Sequence, residues 1–206
     1  MKILIIAATP HELKHIIESG RVDDNINILL TGVGMIEASI TASAHLVHNI
    51  YDLIIHAGIA GAIDRSLKLG ELIAIKKDNL YELGAENHHE FLTLDKLYLE
   101  QYAVSTICIK SIYELNIKNV NAITVNTVHG SSESIHTLRG RSDAQIETME
   151  GFAIARVCQL FALPLVSLRA ISNYVEPRNR DNWQIEKAII NLNEFILHFL
   201  SRYAKN

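Results

Sequence analysis

Leu165-Val166-Ser167-Leu168-Arg169-Ala170-Ile171-Ser172-Asn173 is the stretch on which the reading of this chain turns. Its first residues read as a buried strand, Leu165–Arg169, and its last ones are polar. A polar residue placed where a strand of an open α/β sheet ends stands at the edge where such sheets bind ligands. Asn173 is therefore a candidate reader of a substrate. Just upstream, Glu147-Thr148-Met149-Glu150-Gly151 opens a helix over about Glu150–Phe161. Farther out the alternation continues. Lys2–Ala8 reads as a strand and Pro10–Ser19 as a helix, with Pro where a missing N–H costs nothing. Asn27–Leu30 is a strand, Met35–His48 a helix, and Leu53–Ala57 a strand that ends in Gly58-Ile59-Ala60-Gly61. A more irregular region starts at Gly70–Lys76, with antiparallel pairing expected over Gly70–Leu94, where polar and apolar residues alternate. Ala122–Asn126 returns to strand, and a last helix runs over Trp183–Arg202. Apolar strands alternating with helices predict a three-layer α/β/α fold, a mixed central β-sheet covered by helices. With no linker or repeat in view, residues 1–206 read as one domain.

The composition supports a folded chain and narrows its partners. With 49% hydrophobic and 20% charged residues, 206 positions bury an ample core without disulfides or a structural metal. A net charge of −4 and no basic stripe argue against nucleic acid. Cys108 and Cys158 sit in apolar surroundings and read as buried reduced thiols of a cytoplasmic protein. The apolar N-terminal run is too short for a membrane span and reads as the first strand. Ten histidines are scattered, and His88-His89 lies in a loop rather than at i, i+4 on a helix, so no metal site is expected. Neither glycine pair matches a dinucleotide fingerprint, and no cofactor is expected.

Several residues admit two readings. Glu12 follows the first strand, where a short turn would hold it over the ligand edge; equally, the helix dipole favours a first-turn carboxylate there. Glu150 at its helix start would accept two hydroxyls, as from a ribose, and Glu147 reads as an ordinary helix-start carboxylate. Gly32-x-Gly34 and Gly58-x-x-Gly61 permit tight turns or close backbone approach. Arg178, Arg180 and Trp183 form either a surface loop or a place where a cation beside an aromatic ring holds a substrate carboxylate.

Together, Ile3–Glu12, Thr31–Gly34, His56–Gly61, Met149–Gly151 and Arg169–Asn173 resemble the nucleoside phosphorylase and nucleosidase superfamily over most of the chain. Three stretches, Leu83–Glu86, Thr124–Gly130 and Arg169–Trp183, are most similar to the futalosine hydrolases within it. The resemblance implies a nucleosidase in which Glu12 activates water, Met149 packs on the ribose, Glu150 accepts its hydroxyls and Asn173 stabilises the departing base. It places Ile59, Ala60, Gly61, Thr127, Val128 and Ser172 around the purine, and gives Arg178, Arg180 and Trp183 the substrate's carboxylate and aromatic tail. It implies hydrolysis of futalosine to hypoxanthine and dehypoxanthine futalosine in menaquinone biosynthesis. The alternative is a methylthioadenosine/S-adenosylhomocysteine or aminodeoxyfutalosine nucleosidase that releases adenine. The adenine-specific relatives carry Asp where Asn173 stands, and an amide suits hypoxanthine better. A third reading is a nucleoside-binding protein without catalysis. Water is the expected nucleophile, because Ala7–Leu13 holds no Arg and His56 stands where a phosphate-binding Arg would. The expected partners are a nucleoside, water and, as in the family, a second copy of the chain, with no membrane partner.

Overall fold

The computed structural model describes residues 1–20, 24–99, 104–105 and 117–203, so Cys108 lies outside the described residues. Strand β1 (Ile3–Ala7) leads through a 3-10 turn (Pro10–Leu13) into helix α1 (Lys14–Ser19), then β2 (Ile26–Leu30), α2 (Met35–His48), β3 (Leu53–Ala62) and β4 (Leu72–Leu80). A hairpin of β5 (Gly84–Asn87) and β6 (Glu90–Thr93) and the short β7 (Val104–Ser105) precede β8 (Lys118–Thr124) and α3 (Ser132–Arg141). The chain finishes with β9 (Ile146–Thr148), α4 (Gly151–Leu160), β10 (Leu165–Tyr174), a 3-10 turn (Arg180–Asn182) and α5 (Ile185–Tyr203).

The wholly apolar β1 is buried along its whole length, as expected of a strand covered on both faces. Its odd residues, Ile3 and Ile5, pack with Leu13, Ile16, Leu192 and Ile196 on one side of the sheet. Leu4 and Ile6 pack with Ala38, Ala42, Ile154 and Cys158 on the other. That two-sided burial makes the three layers, α1 and α5 against one face and α2 and α4 against the other. Burial also pushes the Cys158 thiol up to about 12, which keeps it protonated and inert. No described helix is long and apolar enough to cross a membrane.

The sheet runs β10-β4-β8-β9-β3-β1-β2, and β3 pairs with β10 as well, so part of it closes on itself. β3 is the hinge of this arrangement. Its first half pairs with β1 up to His56, its last residues Gly61 and Ala62 pair with β9, and β10 runs parallel along its other side. On the first side, between β1 and β9, the Ala57–Ala60 stretch of β3 has no strand neighbour among the described residues, although β10 pairs with it on the other. The sheet therefore splits at this point, and the split is where the site lies.

Three expectations change. β3 and β10 run through Gly58–Gly61 and through Asn173, well beyond the ends expected for them. Gly58 and Gly61 are needed for close approach rather than for a turn: a Cβ at Gly58 would stand 2.8 Å from Glu12 Oε1. Gly70–Lys76 is not irregular, since β4 is a nine-residue strand there, parallel to β8 and antiparallel to β10 and β7. The antiparallel pairing expected in this region is present in those ladders and in the β5–β6 hairpin.

Candidate active site

A cavity of about 350 Å³ opens at the split, within the size range of small-molecule sites. Its lining includes Glu12, Ile59, Ala60, Gly61, Val128, Met149, Glu150, Ser172, Asn173, Arg178 and Trp183. Elements scattered over the whole chain thus meet in one place. Thr127 is exposed and is not part of the lining, because the backbone after β8 turns it outward. Arg180 is also outside it; its guanidinium lies over the Trp183 ring at 5.6 Å, whereas Arg178 lies over the same ring at 4.8 Å and lines the cavity.

Glu12 is held by the turn that carries it. Its Oε2 accepts from the Thr9 N–H (3.0 Å) and Thr9 Oγ1 (3.3 Å), and its Oε1 from the Ile59 N–H (3.3 Å). Ile59 is paired with Ala170 of β10 on one side, and on the other side β3 has no strand partner at this point among the described residues. The turn is fixed from below by Asn193 of α5, fully buried, whose Nδ2 donates to the Glu12 carbonyl (2.8 Å) and whose Oδ1 accepts from the Ile16 N–H (3.1 Å). Nothing in the sequence marks Asn193; its role depends on a contact between chain ends.

Glu150 lies two residues past β9 and is the N-cap residue of α4. Its Oε1 accepts from the Gly34 N–H at 2.7 Å. Gly32 and Gly34 have φ of +82° and +96°, so this turn does need glycine. Burial raises the Glu150 carboxyl above the ordinary range; the Gly34 N–H and Arg169 pull it back down, and Glu12 pushes it up.

Beneath the two carboxylates lies Arg169, 1% exposed. It donates to the carbonyls of His56 (3.1 Å) and Leu168 (2.8 Å) and to Ser167 Oγ (3.4 Å), and its second nitrogen lies 3.1 Å from both ring nitrogens of His56. Burial lowers the guanidinium, while Glu150, Glu12 and Asp78 hold it up. His56 is driven well below its ordinary value by burial and by Arg169, so it is a neutral acceptor. A charge inside a strand of apolar residues was the visible sign of Arg169.

At the other end, a one-residue bulge at Ser172 interrupts the β10–β3 register. Strict alternation would send Ser172 and Asn173 to opposite faces, yet both line the cavity. Ser172 Oγ donates to Asn173 Oδ1 at 2.7 Å, and Asn173 Nδ2 donates to the Tyr174 carbonyl at 3.1 Å. The hydroxyl fixes which way the amide points and leaves one N–H of Nδ2 as the donor it can offer.

Glu147 is the residue the sequence placed wrongly. It is no helix-start carboxylate: it lies in β9, 3% exposed, and lines the cavity. His129 holds it, with Nδ1 at 2.7 Å from Oε2 and its backbone N–H at 3.2 Å from Oε1. Burial raises this carboxyl, and the His129 contacts offset part of the rise. Its three-residue spacing from Glu150 was the only hint.

With two carboxylates beside one another, an amide at the far end and a cation on an aromatic ring, the cavity can hold a polar ligand that is part sugar and part flat heterocycle. Comparison with known proteins agrees. Residues 2–201 match the family model of the phosphorylase superfamily. The chain is 28% identical over 185 residues to a futalosine hydrolase of Streptomyces coelicolor, covering 85% of this chain and 79% of that protein. It is 27% identical over 193 residues to a 5'-methylthioadenosine/S-adenosylhomocysteine nucleosidase of Buchnera aphidicola, covering 88% and 78%. Its fold matches the native structure of the futalosine hydrolase of Helicobacter pylori with a TM-score of 0.83 at 19% identity, over 98% of each chain. With its family model matched from the first strand to the last helix, the chain belongs to the phosphorylase superfamily.

Proposed function

We propose that this chain is a one-domain purine nucleosidase that hydrolyses futalosine, releasing hypoxanthine and dehypoxanthine futalosine as a cytoplasmic step of menaquinone biosynthesis. One observation carries this reading: Glu12, Glu150 and Asn173 line a single cavity whose only Lys or Arg among the described lining residues is Arg178, beside Trp183. The Glu12 end thus offers a phosphate dianion no arginine, since Arg169 is buried and already donates to carbonyls. Water is the nucleophile that suits it.

The chemistry follows from charge. As the bond from C1' to the purine breaks, positive charge grows on the sugar, and Glu12 and Glu150 stabilise it. Glu12 takes the proton of the attacking water, and Glu150 accepts the ribose hydroxyls while Met149 packs on the ring. The electron pair leaves with the purine, and Asn173 steadies the departing base by donating from Nδ2. An amide does not protonate the base itself, so that proton comes from solvent.

The second reading, release of adenine from methylthioadenosine or aminodeoxyfutalosine, is favoured by the similarity to the Buchnera nucleosidase. Arg178 over Trp183 tips the choice to a substrate with a carboxylated aromatic tail. Incubation with futalosine, inosine, aminodeoxyfutalosine and methylthioadenosine, with and without phosphate, tests it. Futalosine should be cleaved fastest, without phosphate, and Glu12→Gln should abolish turnover while leaving binding intact. Faster adenine release, or formation of a ribose 1-phosphate, would refute the assignment.

The dimeric state expected from the family has a surface to support it. Ile36 and Ile40 on α2 are 70% and 60% exposed, and Leu160 at the end of α4 is 76% exposed. They flank an apolar groove between the two helices, lined also by Met35, Phe152 and Val157. A second copy covering this face is part of the proposal.

A further inference from the structure

We propose that Asn193 of α5 is a positioning residue for the reaction: it sets where the water-activating carboxylate of Glu12 stands. The inference rests on the nucleosidase reading above and names what aims its general base.

The ties on Glu12 are unequal. Thr9, whose N–H and hydroxyl hold Oε2, is the N-cap residue of the very turn that carries Glu12. Those bonds fix the carboxylate within the turn and move with it. The tie from the carboxylate to the sheet is the Ile59 N–H, a long contact at 3.3 Å. Whatever places the turn therefore places the carboxylate.

Asn193 holds the turn from beneath. Fully buried, it donates from Nδ2 to the Glu12 carbonyl (2.8 Å) and to the Ile189 carbonyl, one helical turn before it (2.7 Å). Its Oδ1 accepts from the Ile16 N–H (3.1 Å). Ile16 lies in the first turn of α1, where amides need an acceptor from outside the helix. The N-cap residue Leu13 makes no side-chain cap bond, so α5 supplies the acceptor instead. Both amide hydrogens of Asn193 are in use, and a flipped amide would set its oxygen against two carbonyls. Its orientation is thereby determined, and with it the seat of Glu12. Leu13 is buried as well, but apolar packing has no direction and would let the turn slide.

The same helix walls the cavity. Ile185 and Ile189 line it, and Trp183 stands just before the helix begins. One rigid element thus carries both a wall of the substrate site and the anchor of the base. A role confined to capping α1 would cost stability and leave the turnover of folded protein as it was.

Asn193→Leu roughly keeps the volume and removes all three bonds. A misplaced base costs rate rather than binding, because Glu12 acts on the water in the transition state. On futalosine, kcat should fall about 10- to 100-fold while KM stays within about twofold. Asn191→Leu is the matched control. Asn191 ties the same helix to the Gly70 carbonyl at 2.7 Å, away from the turn of Glu12, and its loss should leave kcat unchanged. Should Asn193→Leu fail to fold, Asn193→Asp keeps an oxygen for the Ile16 N–H, loses the donor to Glu12, and should show the same fall in kcat. An unchanged kcat, a KM that rises as much as kcat falls, or an equal fall in Asn191→Leu overturns the proposal and leaves Asn193 a cap for α1. Wild-type protein that hydrolyses no purine nucleoside would instead overturn the reading beneath it.

Discussion

Arg178 and Arg180 flank one indole ring, but only Arg178 also faces the cavity. Its backbone is tied down by an N–H donated to the Gly130 carbonyl at 3.0 Å, so the guanidinium projects from a fixed point. If it holds the substrate carboxylate, Arg178→Ala removes a charge-assisted contact worth on the order of 1.5–3 kcal/mol. The KM for futalosine should then rise roughly 10- to 100-fold while that for inosine, which lacks the tail, stays nearly unchanged. Steady-state kinetics on both substrates decide it, and equal rises would return Arg178 to a structural role. At this scale the sequence was partly readable. Glu12, Glu150 and Asn173 follow strands or start helices, and local order places such residues at the ligand edge. Glu147 was misread because its position depends on a ladder between β9 and β3, a contact between distant segments that no local pattern encodes. The same holds for Asn193.

The helix that carries Glu150 starts on a buried acid. Gly151 packs against Asp78 so closely that a Cβ there would stand 2.2 Å from Asp78 Oδ2. Asp78 Oδ1 accepts from Thr124 Oγ1 (3.0 Å), Thr124 Oγ1 accepts from the Phe152 N–H (2.8 Å), and Thr148 Oγ1 accepts from the Gly151 N–H (3.3 Å). The free amides of the first turn of α4 are thereby satisfied by threonines of β8 and β9. Burial raises Asp78 to about 7 from 3.8, against opposing pulls from Thr124 and Arg169. The folded state thus holds the proton more tightly than the unfolded chain. The resulting stability is fully present below the unfolded value and is lost as pH rises through about 7. Asp78→Asn cannot ionise, so its stability relative to wild type should grow between pH 4 and pH 8 by an amount on the order of 4 kcal/mol. Urea unfolding at the two pH values measures it; a difference independent of pH would mean that Asp78 titrates as an ordinary carboxyl. The order of elements was legible in the sequence because apolar strands and amphipathic helices alternate plainly. The true lengths of β3 and β10 were not, because glycines and a polar tail read as stops, although in the fold they keep strands extended under pressing neighbours.

At the level of the whole molecule, the outer face of α2 and α4 continues toward the site: Val33, three residues before the exposed Ile36, lines the cavity. A second copy seated on this face would stand at the rim of the substrate. Ile36→Glu combined with Leu160→Glu should convert a dimer to a monomer in sedimentation velocity at micromolar concentration. Wild-type protein sedimenting as a monomer would rule the dimer out. The sequence suggested a dimer only through its relatives, since exposed apolar residues on a helix cannot be told from buried ones until the helix is placed.

The split in the sheet also governs how the molecule comes into being. β3 is laid down early in synthesis and β10 late, yet Ile54 pairs with Leu165 and Gly61 with Asn173. The parallel ladder between them closes a loop of more than half the chain, and such high contact order slows folding. Helices α1 and α2 draw on local contacts and can form first. The purine end of the cavity waits for the last strand to dock, so a nascent chain that already carries Glu12 has nothing yet to hydrolyse with it.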